Sequence, residues 1–267
     1  MRELWALSDL HLERPQNRAA IEELPAQPDD WLVLAGDVCE RPQLFDACLA
    51  LLAARWQQVV WVPGNHELWS APDDPLRGEA RYLAFVEMAR RAGVLTPEDP
   101  YPLVADRLRL VPLFLLYDYS FAPDGLDPAG ARAWALEEDI VCGDEVMLAP
   151  APYPSREAWC AARCDAAEAR LLALDAGDET LLVNHFPLRQ DLVRLPRLPR
   201  FSPWCGTRRT EDWHRRFRAR AVVSGHLHVR ATDWRDGVRF EEVSLGYPRD
   251  WIQARGARSY LRRIWPG

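Results

Sequence analysis

Lysine is missing: all 33 basic residues of this 267-residue chain are arginine. That excludes chemistry built on a lysine amine, whether a Schiff base or the phosphate-gripping lysine of a P-loop. Phosphate bound here must be held by arginine, metal or backbone. Together with many alanines and prolines, the skew reads as the coding bias of a GC-rich genome. Cysteine pairs are missing too. Cys39, Cys48, Cys142, Cys160, Cys164 and Cys205 form no C-x-x-C and sit in apolar or helical stretches, so they read as reduced core thiols and point to a cytoplasmic address. No apolar run approaches membrane-spanning length. The N-terminus enters Glu3-Leu4-Trp5-Ala6-Leu7 without a basic region and long apolar stretch. The expectation is a soluble protein, not associated with membrane and not exported by an N-terminal signal. A formal charge of −7 and a pI near 5.5 count against general affinity for nucleic acid.

What is there favours a substantial core: 48% of residues are hydrophobic and 12 are Trp, of which Trp5, Trp31, Trp56 and Trp61 fall in apolar runs. A single domain over residues 1–267 is expected. Short apolar runs rich in strand formers each end in a polar cluster: Leu4–Leu7 before Ser8-Asp9, Trp31–Ala35 before Gly36-Asp37, and Val59–Val62 before Pro63-Gly64-Asn65. Leu181–Val183 before Asn184-His185 and Ala221–Val223 before Ser224-Gly225-His226 repeat the pattern. These read as buried strands releasing loops at their carboxyl ends. Helical patterns over Pro42–Arg55, Gly78–Arg91 and Ser155–Leu174 alternate with them, which predicts a layered α/β fold with its chemistry beyond those ends. The late runs Val238–Val243 and Ser259–Ile264 read as closing strands. The less regular stretch 113–154 reads as an insertion over the site. Another, 188–210, carries Pro196, Pro199 and Pro203 and reads as a long loop on the same rim.

Charge is unevenly spread. From Arg189 to Arg220 there are ten Arg against Asp191, Glu211 and Asp212, so an anionic substrate or acidic protein surface could dock there, as could plain solvent on a helix face. Trp204 and Trp213 lie in this segment, facing either substrate or core.

Five clusters carry potential chemistry. Asp9-Leu10-His11 sets two donors two residues apart at a strand end. Gly36-Asp37-Val38-Cys39-Glu40 and Gly64-Asn65-His66-Glu67 each place glycine before a donor, where the backbone turns sharply or approaches another group. Asn184-His185 and Gly225-His226-Leu227-His228 complete the set. Five of the six histidines fall inside these clusters; His214 alone lies outside, as a structural or rim residue. One such histidine is more often a bonded core residue than a ligand, but five clusters, each after an apolar strand, are not explained that way.

The order D-x-H, G-D-x-x-E, G-N-H-E, N-H and G-H-x-H resembles the motif set of the calcineurin-like metallophosphoesterases from Asp9 to His228. The resemblance implies a four-layer α-β-β-α sandwich with two metals at one edge. It also implies that Asp9, His11 and His228 hold the first metal, that Asp37 bridges both, and that Asn65, His185 and His226 hold the second. Donors without thiolate suit Mn, Fe, Zn or Co, with Mn or an Fe-Mn pair favoured. Two metals about 3.5–4 Å apart can share a hydroxide nucleophile and neutralise phosphoryl oxygens. His66, left unligated, is the natural proton donor to the departing oxygen, and Glu40, where the family often has Asp, its orienter. Arg41 follows where related phosphatases often place an arginine on phosphate; the plainer reading is a surface residue starting a helix. Glu67 reads as a carboxylate supporting the ligand loops.

Two further segments, Trp204-Cys205-Gly206-Thr207-Arg208-Arg209-Thr210 with Asp212-Trp213-His214, and Arg239–Pro248, resemble an actinobacterial subgroup associated with phosphopantetheinyl hydrolase activity. That implies cleavage of the serine-linked phosphodiester of a holo acyl carrier protein, an acidic partner that the Arg189–Arg220 segment would steer. The same centre serves a phosphomonoesterase acting on phosphoprotein or a small metabolite. A nuclease fits the charge balance poorly, and a non-catalytic scaffold fits the complete motif set poorly.

Overall fold

The computed structural model describes residues 2–266. Its strands, in chain order, are β1 (Leu4–Leu7), β2 (Gln27–Ala35), β3 (Trp56–Val62), β4 (Leu103–Ala105), β5 (Leu108–Pro112), β6 (Glu179–Val183), β7 (Ala219–Ser224), β8 (Ala231–Arg235), β9 (Val238–Glu242) and β10 (Arg262–Trp265). The helices are α1 (Pro15–Glu22), α2 (Pro42–Ala53), α3 (Asn65–Leu68), α4 (Gly78–Arg91), α5 (Pro128–Leu136), α6 (Asp144–Met147), α7 (Arg156–Leu172) and α8 (Trp213–Arg216).

The strands form two sheets, ordered β10-β1-β2-β3 and β4-β5-β6-β7-β9-β8. Neighbours from β1 to β3 and from β5 through β6 and β7 to β9 run parallel, while β10, β4 and β8 close the edges antiparallel. Alternation along each strand sorts the apolar residues between two interfaces. Ala6, Val33, Ala35, Val60 and Val62 meet Leu110, Leu181, Val183, Ala221 and Val223 between the sheets. The intervening Leu32, Leu34, Val59 and Trp61 pack outward with Phe45, Leu49, Tyr82 and Phe85 of α2 and α4. Leu182 and Val222 belong to the outer face of the second sheet, in the core that includes Trp159 of α7. Full burial of each such side chain contributes roughly 1.5–3 kcal/mol. The result is the α-β-β-α sandwich that the motif order implied.

Register sets the site. Leu7 pairs with Leu34 and Ala35 with Val62, so β1, β2 and β3 end level; Val183 pairs with Val223, which levels β6 and β7. Ser8 and Ser244 bridge the two sheets at this edge, the N–H of Leu245 donating to the Ser8 carbonyl at 2.8 Å. Loops from both sheets therefore open at one place.

The stretch 113–154 begins in the core and reaches the cleft wall at Cys142 and Gly143. Leu113–Tyr117 continue β5 into the core, fully buried, with the Leu115 N–H donating to Asn184 Oδ1 at 3.0 Å. The strands β4, β5 and β8 and helices α1 and α5 went unread in the sequence because their apolar residues are few or interrupted by Arg and Asp. All six cysteines are buried and free. Among the described residues no helix is long and apolar enough to cross a membrane.

Candidate active site

The candidate ligands stand on strained backbone. Ten non-glycine residues take positive φ, and five of them are Asp9, His11, Asp37, His226 and His228. Side chains other than glycine avoid this region, so its concentration at five donors marks loops shaped for what they hold. Two glycines permit the crowding. A Cβ at Gly64 would overlap the Asp37 carboxylate, and one at Gly225 would overlap Ser8 and Asp9.

Asp9, His11 and His228 each offer one donor atom, the three lying within 4.8 Å of one another, as do those of Asp9, Asp37 and His185. His11 Nε2 and His228 Nε2 face each other at 3.1 Å, and His228 Nε2 lies 3.1 Å from Asp9 Oδ1. The second Asp9 oxygen is taken by the Ser8 and Ser244 hydroxyls and the His226 N–H, which leaves Oδ1 turned inward. Asp37 accepts the His66 N–H on Oδ1 at 2.9 Å and directs Oδ2 toward His185 Nε2 at 3.4 Å. His185 donates from Nδ1 to the Ala35 carbonyl at 2.9 Å, so its Nε2 faces Asp37 and the amide oxygen of Asn65, 3.2 Å away. His226, partly buried, packs 5.2 Å from His185 between ring centroids.

His66 sits apart in function though close in space. Its Nδ1 is 2.9 Å from Glu40 Oε1, its ring lies on Trp69 at 3.8 Å, and its Nε2 is 3.9 Å from Asp37 Oδ2. Burial alone would lower its pKa, but the Asp37 charge and the Glu40 hydrogen bond outweigh burial and raise it. Glu67 ties the loops together, accepting the N–H groups of Val38, Asp37 and Gly64 at 2.6, 3.1 and 2.8 Å. Arg81, buried, clamps the Glu67 and Glu40 carbonyls at 2.7 and 2.5 Å.

Comparison with known proteins places the whole chain. Residues 3–230 match the family model of the calcineurin-like phosphoesterases. The acyl-carrier-protein phosphodiesterase PptH of Mycobacterium tuberculosis is 50% identical over 270 residues, covering 98% of this chain and 83% of the relative. The crystal structure of phosphopantetheinyl hydrolase (PptH) from the same organism superposes with a TM-score of 0.93 at 49% identity, covering 100% of this chain and 96% of that one. This chain belongs to the calcineurin-like phosphoesterases.

Calcineurin-like phosphoesterases are metal-dependent hydrolases of phosphate esters, and the donors here fit cations. The Nε2 of His226 is buried without any hydrogen-bond partner, an orphaned acceptor of the kind a metal would satisfy. Burial pushes His228 and His185 down, yet Asp9 in the first case and Asp37 in the second raise both to about 10. Burial and neighbouring imidazoles lower His11 and His226 to about 3. A raised histidine is protonated at pH 8, and a metal binds only the neutral ring, so loading the site must expel those protons. Titration calorimetry at pH 8 in buffers of differing ionisation enthalpy is expected to show about two protons released as the two sites fill. Affinity should rise with pH up to about 10. Buffer-independent heats would contradict this.

Three supporting residues escaped the sequence. Asp144 accepts the Asn65 amide N–H at 2.9 Å and the Trp69 indole N–H at 2.6 Å, fixing the Asn65 oxygen toward the site. Asp250 Oδ2 lies 3.1 Å from His228 Nδ1. A carboxylate behind a ligand imidazole orients it and makes it a better donor. Tyr247 stacks on His11 at 4.4 Å. Asp144 opens α6 and Asp250 lies in a turn, neither within a ligand motif, and only placing them beside Asn65 and His228 flags them; Tyr247 falls in the Arg239–Pro248 segment, where nothing local marks its contact with His11.

A cleft of about 640 Å³ opens over the centre. Asp37, Asn65, His66, His226 and His228 lie in its wall; Leu195, Leu198 and Phe201 of the proline-rich stretch form an apolar flank beside His226. Arg41 is the exposed cap of α2 and is not in that wall. His214 is buried and bonded to Asp236 at 2.8 Å, and Trp204 and Trp213 are core. The Arg189–Arg220 segment is not the free basic surface its count implied. Arg189, Arg194, Arg200, Arg208, Arg209 and Arg216 pair with Asp191, Asp233, Glu137, Asp124, Asp165 and Glu168. Arg215, Arg218 and Arg220 also have acid or carbonyl partners, and of the ten only Arg197 has none among the described residues. Most of these acids come from other parts of the chain, which a local count cannot see.

Proposed function

We propose that this calcineurin-like phosphoesterase hydrolyses the serine-linked phosphodiester of a holo acyl carrier protein, releasing 4'-phosphopantetheine and an unmodified serine. The observation that carries the reading is the 50% identity, spread over nearly the whole chain, with a relative named for that activity. The cleft supports it: a long arm needs a trough beside the reacting phosphate, and the apolar flank supplies one.

In this reading Asp9, His11 and His228 would hold one cation and Asn65, His185 and His226 the other, with Asp37 a ligand available to both. The nitrogen and oxygen donors, with no thiolate, suit Mn or an Fe-Mn pair. When bound, the metals supply an activated water and neutralise charge on the phosphoryl oxygens. The water oxygen bonds to phosphorus while the bond from phosphorus to the serine oxygen breaks. Serine is a poor leaving group, so its oxygen takes a proton as it departs, and His66 gives that proton from Nε2. Glu40, holding Nδ1 at 2.9 Å, keeps the ring turned and favours its charged form. Trp69 fixes the ring's other degree of freedom by stacking at 3.8 Å.

Incubation of metal-loaded protein with holo carrier protein, followed by intact mass, is expected to show loss of the whole phosphopantetheine arm. An unchanged carrier mass alongside rapid cleavage of a phosphomonoester would overturn the substrate and favour a phosphomonoesterase.

A further inference from the structure

Four of the arginines without a side-chain partner among the described residues lie together, while Arg2, Arg41, Arg91 and the cleft residue Arg197 lie elsewhere. Arg14 and Arg18 on α1 and Arg255 and Arg258 on the turns that follow Trp251 make no side-chain hydrogen bond or ion pair among the described residues. Arg14, Arg255 and Arg258 are exposed, and so is Arg249, whose nearest carboxylate oxygen is 3.7 Å away. These residues share one face. Asn17 of α1 donates to the Gly246 carbonyl at 2.8 Å and accepts the Trp251 indole N–H at 3.0 Å, which locks the helix to residues 246–260. Arg14 and Arg249 border the same groove, and Ile252, 53% exposed, stands between Arg249 and Arg255 in the chain.

Two acids near this face are occupied, while Glu22 and Glu23 stand exposed at the far end of α1. Glu13 accepts the backbone N–H groups of Glu40 and Arg41, and Asp250 serves His228 and the Tyr247 N–H. Glu22 lies one turn beyond Arg18 without reaching it. In a chain of net charge −7, a face of uncompensated guanidinium groups with an exposed aliphatic side chain is a local exception.

Its position relative to the proton donor gives it meaning. His66 packs edge-on against His11 at 4.6 Å, His11 stacks on Tyr247, and Arg14 lies over Tyr247 at 5.4 Å. His66 is thus linked through His11 and Tyr247 to the basic face, while Phe201 of the apolar flank packs by His226 in the same cleft. We propose that the face formed by α1 and residues 248–258 is the docking surface of an acidic carrier protein, which presents its serine to His66 from that side while the prosthetic arm lies in the apolar trough. This rests on the carrier-protein reading above; the new element is where the protein sits and what recognises it.

The test uses the full-length, metal-loaded protein with Arg18, Arg255 and Arg258 changed together to Glu, residues that border neither the cleft nor the metal centre. At low salt kcat/KM on holo carrier protein is expected to fall about 10- to 100-fold, the scale of lost electrostatic steering. On bis(p-nitrophenyl) phosphate it should stay within twofold. Wild-type turnover of the carrier protein should itself drop toward the variant's in about 0.5 M salt, where screening reaches a few ångströms. The neutral Arg→Gln triple variant should fall between the two. Equal carrier-protein rates in wild type and both variants would overturn the proposal, as would a parallel loss on the small diester. A wild-type protein that cleaves the small diester and leaves the carrier protein intact would refute the substrate reading itself.

Discussion

Replacing Asp37 with alanine is expected to remove the metal pair and lower kcat on every phosphate ester by about 10³-fold or more, the equivalent of several kcal/mol of charge stabilisation in the transition state. The Asp37 carboxylate lies within reach of donors from both groups, His11 in one and His185 in the other. It also accepts the His66 N–H at 2.9 Å, so the substitution loosens the loop that carries Asn65. Elemental analysis after gel filtration should find far less than two bound cations per chain. The protein should remain folded, because the sheets are held by apolar contacts distant from this edge. A variant that kept two metals and more than a tenth of wild-type kcat would remove Asp37 from the centre.

The His66→Ala substitution should separate substrates by their leaving groups. On a serine-linked diester the loss is expected to be about 10²- to 10⁴-fold in kcat, the usual worth of a positioned general acid. On a p-nitrophenyl ester, whose leaving group departs without a proton, it should be under tenfold, with metal content unchanged. Glu40→Gln completes the test through pH. Glu40 raises the His66 pKa, so its removal lowers that pKa and moves the basic limb of the pH-rate profile to lower pH. Equal losses on both esters, or an unmoved basic limb, would assign His66 to binding and leave the acid unidentified.

The parts of this centre legible in the sequence were those written locally. Asp9, Asp37, Asn65, His185 and His226 each follow an apolar strand, and parallel registry brings such strand ends to one edge whatever the loops do. Helices α2, α4 and α7 were readable because Pro42, the apolar stripe of Gly78–Arg91 and Ser155 mark them. What stayed hidden depends on contacts between distant segments. Asp144 and Asp250 look like ordinary loop acids until Asn65 and His228 are placed beside them. The arginine-rich segment failed for the same reason: Arg208 is neutralised by Asp124 and Arg209 by Asp165, acids far away in sequence. Exposed pairs of this sort contribute at most about 1 kcal/mol each to stability, yet they cancel the local field. A cluster of unpaired charge remains on α1 and its neighbour, where no run of arginine stands out in the chain.

Anomalous diffraction from crystals equilibrated with Mn tests the central claim most directly. Two peaks about 3.5–4 Å apart are expected, one among Asp9, His11 and His228 and one among Asn65, His185 and His226, with an Asp37 oxygen between them and His66 bound to neither. A single peak, or one ligated by His66 in place of His11, would contradict the account.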